Sequence, residues 1–451
     1  MVALSVIGCG YLGAVHAACM TELGHTVVGV DVDTAKVAAL AAGKAPFHEP
    51  GLDDLLQRAL GTGRLSFSTD IADVADCQVH FICVGTPQQQ GRYAADLTYV
   101  DAAVDGLLPL LRTHPDGPTV VVGKSTVPVG TAQEIATRFR EAPDSGATLV
   151  WNPEFLREGF GIQDTLSPDR IVYGLPTGDA PGEPSIDGLA AAAVLNHVYS
   201  DQLVRQAIPQ VVTDYATAEL VKVAANAFLA TKISFINAMA ELCEVTGADV
   251  TRLATAIGHD DRIGKKFLRA GLGFGGGCLP KDIRAFMARA GELGADEALT
   301  FLREVDAINQ RRRTRVVDLA RAACGGDLVG ARVAVLGAAF KPDSDDLRDS
   351  PALDVASTVS GAGAQVTITD PAALHNVRAT RPYLAVAEDA LTAAQGADVV
   401  LLLTEWQQFI DLDPEALGTV VHRRTIIDGR NALDARRWRD AGWTYHGLGR
   451  P

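Results

Sequence analysis

The sequence predicts an α/β protein in which two doubly wound sheet domains are joined by a helical middle domain with a long central helix. Three observations carry this. Short runs rich in Val and Ile alternate with helix-compatible spacers at residues 4–7, 26–30, 79–84, 120–122 and 148–150, the signature of βαβ units and a parallel sheet. The same alternation returns at residues 332–336, 365–369, 399–403 and 425–427. Between the two sets, residues 213–246 hold neither Gly nor Pro and read as one long helix.

A chain of 451 residues is too long for one hydrophobic core. The expected division is 1–200 for the first sheet domain, 201–329 for the helical domain and 330–451 for the second sheet domain. Hydrophobic residues make up 47% and charged residues 21%, as in an ordinary globular enzyme. No run approaches the roughly 20 consecutive apolar residues of a membrane span. The first strand begins almost at Met1 without the features of a signal peptide, so the expected compartment is the cytoplasm. The seven cysteines are scattered without a CxxC pair, which predicts reduced thiols and no metal site. A net charge of −15 argues against non-specific nucleic-acid binding.

The first strand ends in Gly8-x-Gly10-x-x-Gly13 and opens a helix, the arrangement in which a pyrophosphate approaches bare backbone at a helix N-terminus. The next strand ends at Asp31, about 20 residues on, where a carboxylate binds a ribose diol and repels a 2′-phosphate. This spacing predicts a Rossmann-like domain for NAD, with nearby Lys36 leaving the phosphorylated cofactor open. Thr86 before Pro87, and Thr126 in the Ser125-Thr-Val-Pro128 segment, also follow strands. Each is either a cofactor-facing hydroxyl or an ordinary turn group.

The segment Gly273-Phe-Gly-Gly-Gly277-Cys278-Leu-Pro280-Lys281-Asp282 is read as a flexible glycine run ending in a thiol at the start of a helix. A helix N-terminus and Lys281 favour a thiolate there, and Asp282 falls one turn along on the same face. On the long helix Lys222 and Asn226 also share a face. They either face solvent or line a pocket in which they stabilise an oxyanion.

These motifs, with Val84-Gly-Thr-Pro87, Asn152-Pro-Glu-Phe-Leu-Arg-Glu-Gly159, Glu219-Leu-x-Lys222-x-x-x-Asn226, Phe340-Lys341-x-x-x-x-Asp-x-Arg348 and Asp428-Gly-Arg430, recur in order in a known family. The chain resembles the UDP-glucose/GDP-mannose dehydrogenases over essentially its whole length. The resemblance implies a cytoplasmic, NAD-dependent enzyme that oxidises UDP-glucose to UDP-glucuronate for polysaccharide synthesis, through a thiohemiacetal and a thioester on Cys278. Lys222, Asn226 and Asp282 would surround the reacting carbon, while Thr126, Glu154 and Glu158 hold water and cofactor. For NAD it implies Gly8, Gly10, Tyr11, Leu12, Gly13, Asp31, Lys36, Thr86, Thr126, Glu158, Lys281 and Arg348.

For the nucleotide sugar the resemblance implies Glu154, Phe155, Leu156, Arg157, Lys222 and Asn226. It adds the loop Phe267, Leu268, Arg269, Ala270 and Gly271, and also Gly275, Lys341 and Arg430. Arg262 matches an arginine supplied across a subunit interface, which implies at least a homodimer built on the helical domain. Phe160-Gly161 and Gly277 depart from the family's usual residues and bear on water access. Three other readings remain: a sister enzyme acting on GDP-mannose or a UDP-N-acetyl-hexosamine, a hydroxyacid dehydrogenase, and a non-catalytic sensor of dinucleotide and nucleotide sugar.

Overall fold

The computed structural model describes residues 1–115, 117–142, 145–178, 180 and 182–451. The chain forms two compact units, Met1–Ala225 with Arg284–Leu293, and Asn226–Ile283 with Gly294–Pro451. The predicted class holds, since each unit is built on a doubly wound sheet and the helices Tyr215–Thr246, Val250–Gly258, Leu279–Glu292 and Phe301–Ala323 lie between the two sheets in chain order.

In the first unit the strands are β1 (Ala3–Ile7), β2 (Thr26–Val30), β3 (Leu65–Ser68), β4 (Val79–Ile82), β5 (Thr119–Gly123), β6 (Ala147–Trp151), β7 (Ile171–Leu175) and β8 (Gln210–Asp214). Their order is β3-β2-β1-β4-β5-β6-β7-β8. Strands β1 to β6 are parallel, so the order reverses between β1 and β4, where such sheets bind ligands beyond the strand ends. The wholly parallel expectation fails at β7, which pairs antiparallel with β6. The link from β6 to β7 carries only the short helix Gly161–Leu166, and the chain re-enters beside β6 from the end where it left. The helix expected from residue 213 starts at Tyr215, because β-branched Val211, Val212 and Thr213 extend as β8. Asp214 then caps the helix, accepting from Thr217 N at 2.8 Å.

Alternation decides which face each residue serves. Val120 and Val122 of β5 join Leu4, Val6 and Phe81 in one core, and Val121 joins Ile7, Ile82 and Phe139 in the core on the opposite face.

The second unit holds β9 (Arg332–Leu336), β10 (Gln365–Thr369), β11 (Ala385–Val386), β12 (Val399–Leu402), β13 (Thr425–Asp428) and β14 (Thr444–Gly447), in the order β11-β10-β9-β12-β13-β14. All neighbours are parallel, and the order reverses between β9 and β12. Val333 and Val335 face one core while Ala334 and Leu336 face the other. Among the described residues one helix, Tyr215–Thr246, is long and apolar enough to cross a membrane by length and composition, yet it buries Glu219, Lys222 and Asn226.

Candidate active site

The glycine turn after β1 is built from contacts that exclude a side chain. Gly8 has a φ of +89°, and a Cβ on Gly13 would lie 1.9 Å from the Gly8 carbonyl oxygen. Gly10 differs, because a Cβ there would meet no described atom within 4 Å. It is the N-cap of the helix Tyr11–Glu22, which no side chain caps, so bare N–H groups face open space where a pyrophosphate fits. Asp31 is nine-tenths buried at the end of β2. Its Oδ2 accepts from Cys9 N at 2.8 Å and Lys36 Nζ at 2.9 Å, and its Oδ1 accepts from Asp33 N at 3.0 Å. Lys36 is thereby engaged by Asp31.

The neighbouring loops are tied together. Thr86 Oγ1 donates to the Thr126 carbonyl at 2.7 Å, joining the loops beyond β4 and β5. Lys124, buried, donates to Asn152 Oδ1 at 3.0 Å, and Tyr199 OH donates to the same oxygen at 2.9 Å. These bonds link the ends of β5 and β6, and burial lowers the pKa of the Lys124 ammonium. Lys222 does not face solvent. It is 5% exposed, and its Nζ donates to Glu154 Oε1 at 3.0 Å. The second Glu154 oxygen accepts from Leu156 N, and Phe155 lies 5.6 Å from the Lys222 ammonium.

One carboxylate escaped the sequence reading, and a second, Glu219, was named there only as part of a motif and given no role. Buried Glu49 accepts from Tyr11 OH, from Gly159 N at 2.6 Å and from Gly161 N at 2.7 Å, which fastens the loop carrying Glu158 to the first helix. A Cβ on Gly161 would lie 2.6 Å from Tyr11 Oη, which explains the small residue there. Glu219 accepts from Gly130 N at 2.8 Å and Ala132 N at 2.7 Å, joining the Thr126 loop to the helix that carries Lys222. Burial outweighs those donors and pushes its carboxyl up to about 7. Glu49 had a weak signal in the Glu49-Pro-Gly51 turn. Two of its three partners, Gly159 and Gly161, lie more than a hundred residues away, where no local pattern reaches.

In the second unit Cys278 is exposed at the head of the helix Leu279–Glu292, and its carbonyl accepts from Asp282 N at 2.9 Å. Asp282 is 1% exposed. Its carboxylate receives Asn226 Nδ2 at 2.6 Å and Lys281 Nζ at 2.7 Å. The thiol therefore stands one turn before a buried carboxylate held by an amide and an ammonium.

The glycine run before Cys278, expected as a flexible segment, is hydrogen-bonded and closely packed. Gly271 N donates to Asn237 Oδ1 at 2.9 Å, Leu272 N to the Gly429 carbonyl at 2.6 Å, and Gly276 N to the Arg348 carbonyl at 2.9 Å. Missing side chains serve close packing. A Cβ on Gly275 would stand 2.3 Å from the Asp349 carbonyl oxygen, and one on Gly277 2.4 Å from the Arg348 guanidinium carbon. Arg348 itself pairs with Asp346 at 2.7 Å.

The cations expected around a diphosphate are differently placed. Arg430 donates to the carbonyls of Leu403 at 2.7 Å, Gly273 at 2.8 Å and Phe340 at 3.0 Å. Lys341 lies 5.4 Å from the Phe340 ring. Arg269 is exposed and 3.7 Å from Glu405, while Arg157 pairs with Asp164 at 2.7 Å. Leu268, Ala270 and Gly271 are buried, and Phe267 takes a φ of +65°. Arg262 is exposed, pairs with Asp260 at 2.7 Å, and joins none of the other expected site residues in a described contact.

A doubly wound sheet with an open glycine turn and a buried acid at the second strand is the arrangement of a dinucleotide-binding domain, and the second unit exposes a thiol at a helix start. Three family models match the chain: the NAD binding domain at residues 2–186, the central domain at 216–311 and the UDP binding domain at 334–435 of the UDP-glucose/GDP-mannose dehydrogenase family. The chain is 42% identical over 450 residues to a UDP-glucose 6-dehydrogenase of Rhizobium meliloti (strain 1021), covering 99% of each. It is 38% identical to the UDP-glucose 6-dehydrogenase TuaD of Bacillus subtilis (strain 168), covering 99% of this chain and 93% of that one. The structure of a UDP-glucose dehydrogenase from Pyrobaculum islandicum matches with a TM-score of 0.87 and 37% identity, covering 100% of this chain and 98% of the other. The chain belongs to the UDP-glucose/GDP-mannose dehydrogenase family. It is an oxidoreductase, and its cofactor is NAD.

Proposed function

We propose that this protein oxidises UDP-glucose to UDP-glucuronate in two successive steps, with Cys278 as the covalent nucleophile. The observation that carries the reading is the exposed thiol one turn before the buried Asp282–Asn226 pair. The Rhizobium and Bacillus relatives act, by their names, on UDP-glucose, and that supports the substrate. Gly8, Gly10, Tyr11, Leu12, Gly13, Asp31, Lys36, Thr86, Thr126, Glu158, Lys281 and Arg348 would hold NAD, which when bound supplies the hydride acceptor, one NAD for each of the two oxidations in turn.

Lys222 and Asn226 stabilise the oxygen on the reacting carbon as charge gathers there. Cys278 Sγ bonds to the aldehyde carbon, and the thiol proton is transferred so that a thiohemiacetal hydroxyl results. After the second oxidation the carbon is a thioester. A water held by Glu154 and Thr126 then attacks it, the C–S bond breaks with its electron pair going to sulfur, and the acid leaves. The covalent stage keeps the aldehyde from escaping. Glu154, Phe155, Leu156, Arg157, Phe267, Leu268, Arg269, Ala270, Gly271, Gly275, Lys341 and Arg430 are assigned to the nucleotide sugar, and Arg262 to a partner subunit's site.

We assign residues 1–200 to cofactor binding, 201–329 to dimerisation and the thiol loop, and 330–451 to the UDP moiety. The dimer is supported by Phe228, Phe235 and Leu242, which recur seven residues apart on the long helix and are exposed. A cytoplasmic setting is supported by the cysteines, none of which forms a disulfide among the described residues.

The test is NADH formation from limiting UDP-glucose, beside GDP-mannose and UDP-N-acetylmannosamine. Two NADH per UDP-glucose are expected, with turnover abolished in Cys278→Ser. Activity with another sugar alone would move the protein to a sister branch, and NAD binding without oxidation of any sugar would return it to a sensor.

A further inference from the structure

The backbone of Phe274, four residues before Cys278, is held by an amide outside the motifs quoted above. Asn309 lies on the helix Phe301–Ala323 and is fully buried. Its Oδ1 accepts from Phe274 N at 2.8 Å and its Nδ2 donates to the Phe274 carbonyl at 2.9 Å, so one side chain satisfies both backbone groups of one residue. A Cβ on Gly273 would stand 2.2 Å from Asn309 Oδ1, so the glycine there admits the amide. Two cations complete the grip: Arg313 Nη2 reaches the Phe274 carbonyl at 3.4 Å and Arg430 Nη1 the Gly273 carbonyl at 2.8 Å.

Neighbouring side chains cannot replace this pair of bonds. Aspartate keeps the acceptor and loses the donor, leucine keeps the volume and loses both, and glutamine is one methylene too long for a closed site. Without Asn309 the buried Phe274 N–H would lose its partner and the carbonyl would keep only the long contact from Arg313 Nη2 at 3.4 Å, which favours displacing the loop.

We infer that Asn309 is a positioning residue: by stapling Phe274 it sets where the chain enters the Cys278 turn, and so the direction of the thiol. This deepens the reading of Cys278 as nucleophile and rests on it. The role separates placement of the thiol from recognition of the sugar. Removing the staple therefore slows the covalent stage and leaves ground-state binding nearly intact.

The experiment uses the full-length protein with Asn309→Leu and Asn309→Asp. Near-UV circular dichroism from buried Trp438 and Trp443 reports that the second sheet is folded. The expected result for Asn309→Leu is a kcat about thirtyfold lower, a KM for UDP-glucose within about threefold of the parent, and slower alkylation of Cys278 by iodoacetamide read on its peptide. Asn309→Asp falls between the two, and it decides the matter alone if the leucine variant does not fold. A folded variant with parental kcat and alkylation rate, or one in which only KM rises, overturns the inference. The alkylation arm needs no turnover. If Cys278→Ser keeps full activity the nucleophile reading fails, while the effect of Asn309 on thiol reactivity is still measured.

Discussion

The two sheets solve the same turn and put it to different ends. In the first, Gly8 N donates to the Val30 carbonyl at 2.8 Å, and Asp31, next in the chain, accepts from Cys9 N. In the second, Gly337 N donates to the Thr369 carbonyl at 2.8 Å, and Asp370, next in the chain, accepts from Ala338 N at 2.7 Å and Ala339 N at 3.0 Å. Even the crowding matches, since a Cβ on Gly8 would meet Val84 and one on Gly337 would meet Thr404, each just beyond the strand across the switch point. Beyond the turn the two sheets diverge. Gly10 opens the helix Tyr11–Glu22 at once and leaves its N-terminus uncapped. The helix Pro351–Gly361 starts only after a long loop, and Ser350 caps it by accepting from Leu353 N at 3.2 Å.

The acids differ as well. Asp370 also accepts from Trp406 Nε1 at 3.2 Å and from Ala372 N and Ala373 N at 2.9 Å each, five donors in all, and is 2% exposed. A shared strand–glycine–acid device thus leaves a bare helix end, suited to the proposed dinucleotide site, in the first sheet, and serves as a structural rivet in the second, where the acid's lone pairs are filled and the helix is capped. Open backbone at the helix end, more than the glycine turn, separates a ligand site from a core.

Replacing the two acids tests this contrast most severely. Asp370→Asn strands several buried donors and is expected to destabilise the second unit by about 3 kcal/mol, read by thermal or denaturant unfolding, with NAD affinity changed by less than about threefold. Asp31→Asn is expected to lower NAD affinity about tenfold in a binding titration while costing about 1 kcal/mol of stability. If both variants lost NAD binding equally, the two turns would not have separate roles.

A smaller effect concerns Glu219, a buried carboxylate with two backbone donors where Asp370 has five. Its folded pKa of about 7 lies above its ordinary value of 4.5, so the folded state holds a proton that the unfolded state has released between those values. Its contribution to stability is full below about 4.5 and is lost as pH rises towards 7. Melting temperature should therefore fall across that window, and the Glu219→Gln profile should be flatter there. A parallel profile would place the proton elsewhere.

Which parts of the site could be read in the chain depends on distance along it. Gly8, Gly10, Gly13 and Asp31 obey a spacing that a single βαβ unit imposes, and Cys278 with Asp282 obeys the helical repeat. Strands β3, β7, β8, β11 and β14 were not legible. β11 has only two residues, and Thr213 and Asp214 at the end of β8 were read as the start of the long helix. Lys222 could face solvent or a pocket on equal terms until Glu154, far away in sequence, was found bonded to it.

By itself, then, the sequence determined the alternation that makes two doubly wound sheets, the glycine turn with its acid, and the thiol at a helix start, because each depends on residues a few positions apart. The tertiary structure alone decided that Lys222 is buried, that Glu49 and Glu219 fasten loops, and that the glycines before Cys278 serve tight packing against Asn309, Asp349 and Arg348. A glycine can mean freedom or the absence of a Cβ. The neighbours that choose between them arrive from distant parts of the chain and carry no signature beside the residue they constrain.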